Sequence, residues 1–348
     1  MTKKRFDIDA RGNARVNAIN ELNATTVNFG DRFISQQRVL LIGLDPIPPE
    51  HRADNWIDRT EPQEELLRRI QAGVKSIELV AGGGFGKSQL AAWLFHHHQF
   101  KGDFDQYIWL NFRKLPTFDE FARWVLQKIG DLIEDPKADD EKLIDYLVHR
   151  LIELRCLLIL DQFEAIDGAE DRGAFVKFLE TWQKRGHTST SVVMVTTRNF
   201  VGAEENRLQL DGLTDREGAD LLRRKGIQTA EEQLLVALVQ MAEGHPLLLN
   251  LAASWLRQEA SGEINPAGLD FFRRLFQQYQ GNVEAKVEEI FGTLFAELPE
   301  QLRSLLLGVV VYRDAFGLEM AQAMGSATTI EDLRSLTARA FLVEESDR

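Results

Sequence analysis

The stretch Ser76–Leu90, SIELVAGGGFGKSQL, limits what this chain can fold into more than any other. A short, mostly apolar run, Ile77 to Val80, leads into Ala81-Gly82-Gly83-Gly84-Phe85-Gly86-Lys87-Ser88, and a helical pattern follows from Gln89. Strand, glycine loop, Lys-Ser and helix, in that order, are the context a phosphate-binding loop requires. Glycine lets backbone N–H groups turn inward and come close to phosphate oxygens. The positive end of the helix dipole falls at the same spot. In such a loop Lys87 reaches the β- and γ-phosphates and the Ser88 hydroxyl ligates Mg²⁺. The strict pattern GxxxxGK[ST] has glycine where this chain has Ala81, so the first turn is expected to differ. The competing reading is a glycine-rich strand-to-helix turn that holds no ligand.

At 348 residues the chain is too long for one ordinary domain and reads as two or three. No apolar run approaches the length that spans a bilayer. The N-terminus, MTKKRFDIDARGN, has no apolar stretch behind its basic residues and does not read as a signal peptide. A single cysteine, Cys156, leaves no intrachain disulfide, which points to a cytoplasmic setting. A net charge of −13 argues against sequence-independent binding of nucleic acid, which needs a basic face.

Residues 1–50 read as an extension or linker, with a short strand at Thr25-Thr26-Val27-Asn28-Phe29-Gly30 and a stiff connector at Asp45-Pro46-Ile47-Pro48-Pro49. A capping box of Thr60 with Gln63 starts a helix, with Pro62 in its first turn. His96-His97-His98 closes the helix after the loop; neighbours on a helix diverge, which suits solvent or the dipole better than a metal ion. Gln106 to Phe112 reads as a strand, and Thr117 with Glu120 boxes another helix. Glu141 to Leu154 is helical. Cys156-Leu157-Leu158-Ile159-Leu160 is a buried strand ending in Asp161-Gln162-Phe163-Glu164, the arrangement that brings a second carboxylate near Mg²⁺. A further strand, Ser191 to Thr196, ends in Thr197-Arg198. Strands alternating with helices imply a parallel sheet covered on both faces, with ligands at the carboxyl ends of the strands. From Leu208 the pattern turns helical, with a box at Thr214 and Glu217, an interruption at Gly244-His245-Pro246, and a strand-like ending at Phe341-Leu342-Val343.

These motifs together resemble the STAND signalling ATPases in their NB-ARC-like branch. Ile57-Asp58-Arg59 resembles the segment beside the adenine, AGGGFGKS the phosphate loop, and LLILDQFE the second motif. Val195-Thr196-Thr197-Arg198 resembles the strand whose arginine senses the γ-phosphate, and Gly244-His245-Pro246-Leu247 the lid motif whose proline packs on the base. The resemblance implies a P-loop NTPase core at 51–207, a helical lid at 208–284 and a winged helix at 285–348, cut short at its C-terminal end. It implies nucleotide contacts from Ile57, Arg59, Gly83, Gly84, Phe85, Gly86, Lys87, Ser88, Gln89 and Pro246, and Mg²⁺ on Ser88 and Asp161. Lys87, Asp161, Gln162, Glu164 and Arg198 are the candidate catalytic residues. Where many members have two adjacent acids, this chain has Asp161 then Gln162; either Glu164 deprotonates the water or Gln162 positions it, and hydrolysis is expected to be slow. Glu164 also reads as an ordinary first-turn acid.

The function so implied is a switch that holds ADP closed and, with ATP, opens and self-assembles, in defence or regulated cell death. Its effector or sensor domain lies outside this chain, which reads as a piece of a longer protein or a natural short form. An AAA+-like DNA-handling ATPase and a STAND-type transcription regulator are the alternatives.

Overall fold

The computed structural model describes residues 57–112, 116–131, 138–277, 279, 281–309, 316, 318–324, 328–339 and 341–342. The readings made on residues 1–50, and on Val343, lie outside them.

Five strands form one sheet in the order β2-β3-β4-β1-β5: β1 (Ser76–Val80), β2 (Gln106–Asn111), β3 (Cys156–Asp161), β4 (Val192–Thr197) and β5 (Arg207–Gln209). The β1–β4, β2–β3 and β3–β4 pairs are parallel. β1, β3 and β4 are buried along their whole length and are mostly apolar, although β1 also buries Ser76 and Glu78. β5 extends the sheet past Leu208, where the sequence reads as helical. It is three residues, two half-buried and one exposed, with no alternation to mark it.

The helices, in chain order, are α1 (Thr60–Gln71), α2 (Lys87–Lys101), α3 (Phe118–Lys128), α4 (Asp140–Glu153) and α5 (Arg172–Arg185). They continue with α6 (Asp215–Arg224), α7 (Glu232–Met241), α8 (Pro246–Glu259), α9 (Pro266–Gln277) and α10 (Val283–Ala296). The last three are α11 (Glu300–Val309), α12 (Leu318–Met324) and α13 (Ile330–Ala338). The boxes at Thr117 and Thr214 form with both reciprocal bonds, each typically stabilising a helix start by about 1 kcal/mol. A third box forms at Thr329 with Asp332. α1 starts at Thr60 itself, so Thr60 is its first residue rather than its cap. α2 runs on to Lys101, so the three histidines lie within it instead of closing it.

The chain divides into two compact units. One comprises Leu66–Val80 and Ala91–Leu208 among its described parts. Its core packs α3, α4 and α5 on one side of the sheet, through an aromatic cluster that includes Phe112, Phe118, Phe121, Phe163, Phe175 and Phe178. The other unit comprises the described part of Glu50–Glu65, with Ala81–Leu90 and Gln209–Arg348. The glycine loop is thus grouped with the helices that follow the sheet. This unit has an apolar core shared by α6 to α10 and a smaller one shared by α11 to α13. Phe341 and Leu342 do not form the expected strand. They make a bend in which both backbone N–H groups turn back to the Leu336 carbonyl, finishing α13, and Phe341 packs on both cores.

Candidate functional site

The glycine loop runs from Ala81 into α2. Gly84 and Gly86 have φ of +78° and +89°, a region that side chains rarely tolerate, so these two glycines are required by the turn. Ala81 is buried and is absent from the positive-φ residues, so its methyl group does not obstruct the loop. The departure from the strict pattern therefore falls at a position that does not need glycine. Lys87 is buried, and its ammonium donates to the carbonyls of Ala81 (2.9 Å) and Gly82 (3.0 Å). The loop thus curls around its own lysine at the N-terminus of α2, where helix N–H groups lack intrahelical partners. Ser88 is half-buried beside it and Gln89 is exposed.

Two side chains of the same unit grip the loop carbonyls. Arg59, 7% exposed, donates from Nη1 to the Phe85 carbonyl (3.1 Å) and from Nη2 to the carbonyls of Asp211 (2.6 Å) and Gly212 (3.2 Å). Burial lowers its pKa, and the charges of Glu217 and Asp211 oppose that shift. Ile57, expected beside the nucleotide, packs on the α6–α10 core. His245, 2% exposed, caps α8: its Nδ1 accepts from the Leu248 N–H at 3.2 Å. That leaves Nε2 as the protonated nitrogen, which donates to the Gly83 carbonyl at 2.8 Å. The His245 ring meets Phe85 edge to face at 4.5 Å. A methyl on Gly84 would lie 2.7 Å from the His245 ring and 2.8 Å from Leu247, so this glycine also permits the close approach. Pro246 takes the first turn of α8, where a missing N–H costs nothing.

The second group of candidates lies at the carboxyl ends of β3 and β4. Asp161 is fully buried. Its Oδ1 accepts from the Thr196 hydroxyl (2.6 Å) and its Oδ2 from the Asn111 amide (3.0 Å). The register makes this possible: Asn111 faces Asp161 across β2–β3, and Leu160 faces Val195 across β3–β4. Gln162 adopts φ +59°, a left-handed conformation that costs a non-glycine residue about 1 kcal/mol, and its N–H donates to Thr196 Oγ1 at 2.9 Å. Phe163 and Ile166 anchor the following turn in the aromatic core, and Glu164 between them is half-buried. Arg198, just beyond β4 and exposed, forms an ion pair with Glu164 at 3.3 Å.

These residues suit a nucleotide with Mg²⁺. A glycine loop that curls around a buried lysine at a helix N-terminus is of the kind that takes phosphate. Ser88 and Asp161 each carry an oxygen of the type a hard cation takes. Among the described residues no cluster of three or more His, Cys, Asp or Glu could hold a metal ion. Mg²⁺ commonly needs only one or two protein ligands, the rest being water and phosphate. The three histidines diverge: His97 stacks on Trp93, while His98 pairs with Asp103 at 2.7 Å. Asn111, Thr196 and the imidazole of His245 were not singled out by sequence. Their roles depend on strand register and on a helix cap formed against a distant loop.

A parallel sheet with a strand–glycine-loop–helix unit and a buried aspartate ending a second strand defines a P-loop NTPase. The NB-ARC domain family matches residues 59–232, half of the chain, and the chain belongs to that family. An uncharacterized WD repeat-containing protein of Nostoc sp. is 24% identical over 317 residues, covering 83% of this chain. The chain spans 25% of the length of that curated relative. The crystal structure of a STAND protein with a tetratricopeptide repeat sensor from Pyrococcus horikoshii superposes with TM-score 0.58 at 20% identity, over 83% of this chain and 40% of that one. Drosophila ORC bound to DNA gives a TM-score of 0.45 at 12% identity, over 88% of this chain and 82% of that one. At that level the likeness decides nothing between a signalling switch and a DNA-handling ATPase. Among the described residues no helix is long and apolar enough to cross a membrane.

Proposed function

We propose that this chain is an ATP- and ADP-binding switch of the STAND class that hydrolyses ATP slowly. The observation that carries the reading is the glycine loop wrapped around Lys87 at the start of α2, in a chain of the NB-ARC family. Lys87 and the loop N–H groups hold the phosphates, and Pro246 packs on the base. Ile57 and Arg59 flank the site, and the bonds from Arg59 to Phe85 make it a residue that shapes the loop. Ser88 and Asp161 hold Mg²⁺, which when bound neutralises charge on the β- and γ-oxygens. Thr196 and Asn111 aim the Asp161 carboxylate. Glu164 or Gln162 handles the attacking water. The γ-phosphate shifts the resting equilibrium only if a group meets it in one state and not the other, and Arg198 is that group. Residues 208–284 serve as lid and 285–348 as the winged-helix region, and the ATP-bound form self-associates. The Nostoc relative is named for WD repeats and the Pyrococcus protein for a tetratricopeptide sensor, which supports a repeat sensor as the partner of this switch. Defence or regulated cell death is the setting we propose.

Arg198→Ala tests the switch. It is expected to weaken ATP binding by about 10- to 100-fold, the worth of a charge-assisted contact, and to leave ADP binding unchanged. Equal loss of both nucleotides would make Arg198 a structural residue at the carboxyl end of β4 and refute its role as sensor. Tight DNA binding at physiological salt would favour the DNA-handling alternative.

A further inference from the structure

Lys286 lies in α10, a helix whose other charged residues, Glu284, Glu288 and Glu289, are all acidic. The residue is only 3% exposed. Burying an ammonium is costly unless its donors are matched, and here they are. Nζ donates to the Met241 carbonyl at 3.0 Å, pairs with the Glu243 carboxylate and lies 5.9 Å from the centre of the Phe276 ring. Met241 ends α7, where carbonyls lack helical partners and the dipole favours a cation. The lysine therefore closes the C-terminus of α7 and holds the first residue after its cap.

The turn it holds is tightly specified. Glu243 and Gly244 are both left-handed, with φ of +53° and +64°. The Leu213 N–H donates to the Gly244 carbonyl at 2.7 Å. A methyl on Gly212 or Gly244 would overlap the facing backbone, so segments 211–213 and 243–245 are packed backbone to backbone. From this paired segment two contacts reach the glycine loop. His245 donates to the Gly83 carbonyl, and Arg59 bridges the carbonyls of Asp211 and Gly212 to that of Phe85.

We infer that Lys286 is a positioning residue for the nucleotide loop. From α10 it sets the turn that carries His245, and through that turn it couples the state of α10 to nucleotide retention. The inference rests on the reading that the loop holds nucleotide. Coupling of this kind is reciprocal, so bound nucleotide also favours the docked α10. No contact between Lys286 and the nucleotide is required.

The test is the dissociation rate of a fluorescent ADP chased with unlabelled ADP, alongside thermal unfolding, for the parent, Lys286→Met and Lys286→Arg. Methionine keeps the apolar stem and removes the charge. Lys286→Met is expected to release ADP about 2- to 30-fold faster, the range of residues that modulate coupling without touching ligand. Lys286→Arg is expected to restore most of the parent rate. In a His245→Ala background Lys286→Met should add little, because both act on one turn. Parent-like release by Lys286→Met, or effects that multiply in the double variant, would overturn the inference. Leu269→Ala, a core truncation in α9, controls for stability loss: equal acceleration by it would reduce Lys286 to a structural role. If Lys286→Met does not fold, Glu243→Gln removes the ion pair from its exposed side and should also speed release; an unchanged rate would count against the inference. A parent chain that binds no ADP defeats the proposed function, whereas a binding parent with an unresponsive Lys286→Met defeats this inference alone.

Discussion

Asp161 shows how the fold prepares one residue. Two neighbouring strands each supply a donor, so both carboxylate oxygens are held in direction by hydrogen bonds. Thr196 does more, since its hydroxyl also accepts the Gln162 N–H and so holds the left-handed residue that follows Asp161. A strained conformation kept in place by such a bond is a feature of sites where geometry matters more than stability. Thr196→Val removes both bonds while conserving shape. Supporting residues of this kind commonly change metal affinity or activity by about 10- to 100-fold. Mg²⁺-dependent ATP turnover is expected to fall within that range, with ADP binding nearly unchanged. Turnover with the parent's Mg²⁺ dependence would show that Thr196 does not position Asp161. Cys156, on the same strand, has no part in this chemistry: burial pushes its thiol up to about 12, which leaves it inert as a nucleophile.

Among the elements, β1 does two jobs. It delivers the chain into the glycine loop, and through Glu78 it holds the segment after β4. The Glu78 carboxylate, almost fully buried, accepts from the Val201 N–H at 3.0 Å. Burial raises its pKa, and hydrogen bonds from the Val201 and Gly202 N–H groups offset this only in part. The folded chain thus holds this proton more tightly than the unfolded chain. Stability from this group is present below the ordinary value of 4.5 and is lost as pH rises through the raised folded value. Glu78→Gln is expected to flatten that decline above pH 4.5, measured by urea unfolding. Parallel stability curves for parent and variant would rule the mechanism out. The strand itself was legible from sequence, but this role was not: an acid in an apolar run gives no sign of which distant N–H groups it meets. The same divide runs through the molecule. The glycine loop, the Asp161 strand and the boxes at Thr117 and Thr214 are local patterns, and local physical chemistry fixes them. β5 is too short to carry a period. Asn111 depends on register, and Lys286 on the pairing of two turns far apart in sequence. The strand expected at Phe341 gave way to a helix end because the Leu336 carbonyl offered nearer partners.

At the scale of the whole chain, the NB-ARC match and the parallel sheet establish what kind of protein this is, and the proposed switch rests on the loop around Lys87. The contacts of Arg59 and His245 tie that loop to the segments that begin α1 and α8, so a nucleotide that reshapes it has a mechanical route to the helices of its unit. All of this depends on the loop holding nucleotide through Lys87. The direct test is calorimetric titration of the folded chain and of Lys87→Ala with Mg²⁺-ADP and Mg²⁺-ATP, with thermal unfolding to confirm that the variant is native. The parent is expected to bind both, and Lys87→Ala to lose at least about 10-fold in affinity for each, the worth of one charge-assisted bond. A folded Lys87→Ala that binds ADP and ATP as tightly as the parent would contradict the account.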